Sequence, residues 1–385
     1  MATTKNDTVI NDAVLTQPAD FDALGRLVVS SKDLRAPLAY AHCYDITFVV
    51  IEEGVKRIPT GAFADCIMLK EIVLPSTLEY IGDCAFEGCH SLTSVAIPDS
   101  VRQIGDRAFS ECFDLQSVVI GKNITKIPFG AFYSCYKLLS VNLPEGLTSI
   151  GWRAFENCNE LTCIDFPDGL ERIDADAFYN CSKLASITIP ESVKEIGREA
   201  FMYCAGLTSV TVLAPDTTIG SKAFLDCTCL KSVVLPKNLS SIGGNTFFDC
   251  NALSELHIPD SVQYFGEGCF YGVSLKSAPK NYKAFKVTPR GTLKCRDKEY
   301  TLGKKSFVRG PLELCSNGIH YCTNLFDVFN YYYGTYGDFV IAECEVSEEH
   351  EYLSGRGDSK KCARWIIPKR ILTREEVINI LNGGK

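Results

Sequence analysis

The chain has no apolar stretch long enough to cross a membrane as a helix, so no spanning segment is expected. Its start, MATTKNDTVINDAV, is polar and contains no apolar run of signal-peptide length. Read as it stands, the sequence predicts a cytoplasmic protein, or a surface or secreted one if a leader has been trimmed. Paired metal ligands are missing too. No C-x-x-C is matched by a second pair, and Cys227-x-Cys229 and His320-x-Cys322 stand alone, so no metal site is expected. Neither His90 nor His257 has a carboxylate, cysteine or serine at a catalytic spacing, which leaves the repeats without a nucleophile-base pair, and no catalytic residue is expected. Positive charge is scarce ahead of residue 280. Residues 1–279 hold 21 Lys and Arg against 34 Asp and Glu, whereas residues 280–385 hold 18 against 13. A surface of net charge −13 would meet phosphate with the wrong sign, so nucleic acid is an unlikely partner for the first part.

What the sequence does have is a period. Phe63, Phe86, Phe109, Phe132, Phe155, Phe178, Phe201, Phe224, Phe247 and Phe270 recur every 23 residues. Other positions repeat with them. Isoleucine lies five residues before (Ile58 to Ile242), cysteine three after (Cys66 to Cys250) and leucine six after (Leu69 to Leu253). Nine to eleven residues after comes an apolar, variable, apolar triplet such as Val95-Ala96-Ile97, usually closed by proline. Alternation of period two reads as a strand of three or four residues with its outer pair buried. Proline at the exit removes the donor that would continue the ladder and turns the chain out. A unit of this length cannot bury its own apolar face, so neighbours must stack into one solenoid. The nine cysteines at one position read as reduced, buried packing residues rather than a disulfide framework. With an odd total of 19, they point to a reducing compartment.

The units LPSTLEYIGDCAFEGCHSLTSV, IPDSVRQIGDRAFSECFDLQSV and IPESVKEIGREAFMYCAGLTSV resemble the BspA-like leucine-rich repeat over residues 48–276. That resemblance implies a solenoid with short parallel strands on one side and irregular turns on the other. At about 4.8 Å per coil it would be roughly 45 Å long. Residues 1–47 are expected to supply a leader and an N-terminal cap with a degenerate first coil. The exposed mid-strand positions are Val73, Ala96, Val119, Asn142, Asp165, Thr188, Thr211, Val234 and His257, and they form one stripe expected to meet a protein or glycan partner.

The 23-residue period stops at Ser277-Ala278-Pro279, and residues 280–385 read as a small α+β domain. Strands are expected at 282–286, 300–304, 339–346 and 365–367, with helices over 325–333 and from a capping box at Thr373-Arg374-Glu375-Glu376. The order Gly318-Ile319-His320-Tyr321, a short helix, then a strand ending Glu343-Cys344-Glu345-Val346 is similar to the ADP-ribosyltransferase core. YKAF, LCSNGIHYC and a Tyr-Tyr pair also resemble a small uncharacterised bacterial and phage domain. The first resemblance implies NAD held by Lys283, Gly318, His320, Tyr321 and Tyr332, with the repeats choosing a target. The glutamate such enzymes need is absent from Lys361-Cys362-Ala363-Arg364-Trp365, which argues for a binding version of the fold. Two further features stand apart. Lys280 to Arg309 carry ten basic and two acidic residues, which read as a solvated hairpin edge or an anion site. Arg356-Gly357-Asp358-Ser359 spells an integrin-type tetrapeptide, relevant only to a surface adhesin. The leading expectation is a non-enzymatic interaction module without a cofactor.

Overall fold

A computed structural model describes residues 26–273 and 275 and, in the C-terminal region, 282–287, 293–295, 298–300, 302–304, 306–307, 319–322, 325–329, 334–335, 340–346, 349–351, 360–363 and 365–383. The repeats form the expected solenoid. Strands such as Glu71–Val73, Ser94–Ala96, Ser117–Val119, Ser140–Asn142, Ser186–Ile189, Ser209–Val212 and Ser232–Val234 recur one per coil. Within three separate sheets they pair in parallel with no stagger, for example Val95 with Val118 and Val118 with Val141.

The side opposite these strands is more regular than the resemblance implied. The isoleucine five residues before each phenylalanine closes a two-residue strand, as in Arg57–Ile58, Tyr80–Ile81 and Gln103–Ile104. These also stack in parallel, and the run from Lys126–Ile127 to Thr218–Ile219 forms a five-stranded sheet. Such strands are too short to show a period in sequence, which is why they read as turns.

The core between the two sheets is a column of rings. Successive phenylalanines from Phe63 to Phe270 lie 5.2–6.3 Å apart and within 2–11° of parallel. Tyr40 extends the column into the degenerate first coil, 5.4 Å from Phe63. That coil is closed by Leu27–Val29, which pairs with Phe48–Ile51.

The C-terminal region is built mainly of antiparallel strands. Across the sheet the order is Ser306–Phe307, Trp365–Ile371, Val340–Val346, Tyr282–Val287, Ile319–Cys322, Lys360–Ala363 and Glu349–Glu351. The hairpin Leu293–Cys295 with Lys298–Tyr300 branches from Tyr282–Val287. The expected edge at 300–304 therefore lies earlier, its strand ending at Tyr300. The helix expected from 325 is described over Leu325–Val328. The last helix, Arg374–Leu381, starts at the expected capping box: Glu376 N–H donates to Thr373 Oγ1, and Thr373 N–H to Glu376 Oε2.

This region covers the last coil of the solenoid. Gly334–Thr335 adds antiparallel to Tyr264–Phe265. Phe329 lies 4.2 Å from Phe265, and Phe326 meets Phe270 edge-on at 5.2 Å. Asn382 accepts from Ile258 N–H at 2.7 Å and donates to Ile258 C=O at 2.9 Å, while Arg374 Nε donates to Val262 C=O at 3.0 Å.

Candidate interaction face and cleft

Every coil places its stripe residue by the same local chemistry. The apolar residue before it points into the core, so the stripe residue must point out. Val73, Ala96, Val119, Asn142, Asp165, Thr188, Val234 and His257 are exposed, and Thr211 is half-buried. The three valines stand 47, 54 and 55% exposed, which is high for apolar side chains on a sheet. Ala96, Val119 and Asn142 are in direct register, as are Thr188, Thr211 and Val234. Asp165 and His257 lie on the same stripe, but outside described strands.

The ladder beneath the stripe is interrupted twice among the described residues: no strand pairing joins Glu71–Val73 to Ser94–Ala96, and in the middle a whole strand is missing. Among the described residues, the segment 162–166 is the one interior coil without a strand on this face. Ser140–Asn142 pairs only backwards, with Ser117–Val119, and Ser186–Ile189 only forwards, with Ser209–Val212. A cleft of about 560 Å3 opens there, lined among others by Val119, Asn142, Glu145, Cys163, Asp165 and Phe166. The Asn142 side chain turns back to the preceding coil, away from the break. Its Oδ1 takes the Ile120 N–H at 2.9 Å, whereas one coil earlier Ile97 N–H goes to the Val119 carbonyl. The alternation Cys163-Ile164-Asp165-Phe166 hid the break, because it keeps the strand pattern. The available signal was Phe166, a ring where other coils carry Ile, Leu or Val; it is only partly buried and meets Phe178 edge-on at 5.7 Å.

The ladder thiols are buried and hydrogen-bonded. Each of the nine ladder cysteines donates its S–H to the ring-bearing residue's carbonyl one coil back, at 3.1–3.3 Å. Burial pushes these thiols up, Cys66 and Cys204 to about 12. Among the described residues no group of three or more His, Cys, Asp or Glu could hold a metal, and no helix is long and apolar enough to cross a membrane.

The residues implied for NAD are only partly brought together. Tyr282 pairs with Cys322, which places Lys283 beside Tyr321 along neighbouring strands; His320 pairs with Cys362. Tyr321 is 2% exposed, so its ring belongs to the core of this region rather than to an open pocket wall. Gly318, Tyr332 and Arg356 to Ser359 lie outside the described residues.

A stack of parallel coils 23 residues apart, with a row of short strands on one face, defines a leucine-rich-repeat solenoid. Residues 37–162, 103–228 and 148–276 match the BspA type leucine rich repeat region, and the chain belongs to that family. Residues 280–380 match a domain of unknown function, DUF7666, and no likeness to ADP-ribosyltransferases emerges. Among solved structures, a leucine-rich repeat protein from Bacteroides ovatus is 31% identical with a TM-score of 0.59. That match covers 64% of each chain. A leucine-rich repeat protein of T. pallidum is 37% identical over 40% of this chain and 75% of its own, with a TM-score of 0.39. A leucine rich cell surface protein from Faecalibacterium prausnitzii is 26% identical over 63 and 73% of the two chains, with a TM-score of 0.43. No curated protein matches the chain.

Proposed function

We propose that this protein is a non-enzymatic interaction module whose strand face binds a protein partner, with the C-terminal domain acting as an accessory. The observation that carries this reading is the row of exposed Val73, Ala96, Val119, Thr188 and Val234 along one face of the stack, with Ala96 in register with Val119, and Thr188 with Val234 through Thr211. Small and apolar side chains at a fixed spacing leave little side-chain entropy to lose on docking. The flanks differ. Lys56–Glu79 at 3.0 Å, Lys122–Asp99 at 2.8 Å and Lys194–Glu171 at 3.0 Å link coil to coil with exposed ion pairs, so those surfaces already satisfy themselves. No observation on the described residues favours NAD chemistry over this reading. A photo-reactive side chain placed at Val119 and Val234 in the native host tests it. One common cross-linked protein from both positions, absent from a control at Lys56, is the expected result. Equal labelling from all three positions, or none, would sink the proposal.

A further inference from the structure

The break at 162–166 leaves strand edges open inside a sheet, and we propose that its cleft binds an extended peptide carrying a lysine or arginine. This rests on the interaction reading above and names the class of partner. Parallel ladders normally use every backbone group of adjacent coils. Here no strand pairing joins 162–166 to Ser140–Asn142 or to Ser186–Ile189. Thr162 N–H reaches the Leu139 carbonyl at 3.4 Å, and no backbone bond to a neighbouring coil follows from Cys163 to Phe166 among the described residues. A ligand that brings its own alternating N–H and C=O groups can meet such an edge, as added strands do in sheet augmentation.

The sequence differs at the opening: Phe166 stands where other coils carry Ile, Leu or Val, and its ring meets Phe178 edge-on at 5.7 Å. The charge of the rim selects the side chain. Asp165, Glu145 and Asp168 line the cleft, and none is in an ion pair among the described residues. In the neighbouring coils, by contrast, Glu171 is matched by Lys194 and Asp174 by Arg172. Val119 and the partly exposed Phe166 offer apolar surface for the stem of a lysine or arginine, with the carboxylates beyond. Ser117, Ser140 and Asn142 add polar groups beside the path of the ligand's backbone.

The test uses the full chain and a positional library of heptapeptides. Arginine or lysine enriched at least about tenfold over glutamate at one position is expected, with that preference lost in the Asp165→Asn, Glu145→Gln chain and kept in Val234→Arg. For the best single peptide from that library, binding should slow amide exchange at Ser140 to Leu143 and at Cys163 to Phe166. Lack of a basic preference, protection elsewhere, or capture of a neutral oligosaccharide in place of peptide overturns the proposal. Cross-linking from Val119 and Val234 that persists while the cleft fails would leave the broader interaction reading standing; failure of both would remove it.

Discussion

A buried thiol that donates to a backbone carbonyl is both packed and chemically silent. The nine ladder cysteines meet both conditions, with burial as the first cause of their raised pKa values. Reaction needs the thiolate. Cys163 and Cys229 are exposed and lack this protection. Brief alkylation of the native protein, mapped by mass spectrometry, should therefore modify Cys163 and Cys229 and leave Cys66 through Cys250 of the ladder untouched until denaturant is added. A second residue-scale device is backbone handedness. Each coil holds two residues with positive φ, two before and two after its phenylalanine, and many are not glycine: Asp226 has φ 57°. Burial raises the Asp226 carboxyl, and the neighbouring Asp249 raises it further. The folded state thus binds that proton more tightly than the unfolded chain. Its contribution to stability is full below the ordinary carboxylate range and is lost as pH rises through the raised value. Asp226→Gly relieves the left-handed penalty, about 1 kcal/mol, and removes the partly buried charge beside Asp249. Urea unfolding should show a larger gain at pH 7 than near pH 4; equal gains would mean that only the backbone matters.

Coils stack closely because some carry glycine where two backbones nearly touch. A Cβ on Gly220 would lie 2.5 Å from Arg198 N and 2.6 Å from Gly197 C. Gly220→Ala must push the coils apart and should lower stability by about 1–3 kcal/mol. Gly146→Ala is the control: its Cβ would meet only Lys122 O, at 3.7 Å, and should cost under about 0.5 kcal/mol. Thermal unfolding of both variants checks the pair. At this scale the sequence was uneven in what it revealed. The long strands were readable because burial alternates along three or four residues and proline ends them. The two-residue strands were not, since Ile58 or Ile81 alone has no alternation. The left-handed positions were hidden because Asp, Glu, Arg, Lys and Cys occupy many of them, so composition did not mark the turn. The exposure of the stripe was legible down to the residue, apart from half-buried Thr211, but the strands expected at Asp165 and His257 were not found there among the described residues. The cleft was not legible, because Cys163-Ile164-Asp165-Phe166 keeps the alternation of a strand without forming one.

A stack of coils has two ends, and each would expose a core layer unless something stands in for the missing neighbour. The C-terminal domain does so with unlike parts. Phe326 and Phe329 cover Phe270 and Phe265, where a further coil would have set its own ring. Asn382 offers its amide to both the N–H and the C=O of Ile258, replacing the two backbone groups a next strand would have brought. Little in sequence marked this, since Asn382 sits after the last helix in the form of an ordinary C-cap. Removing the amide leaves two half-buried backbone groups without their partners, a loss of about 1–3 kcal/mol. In a solenoid, coils are coupled mainly to their nearest neighbours, so the loss should stay local. Asn382→Ala should speed amide exchange in Glu255–Leu256 and Tyr264–Phe265 and leave the coils around Phe86 and Phe109 unchanged. A uniform rise along the whole stack would instead mean that the coils and their cap unfold as one unit, with the C-terminal domain a part of the core rather than a lid on it.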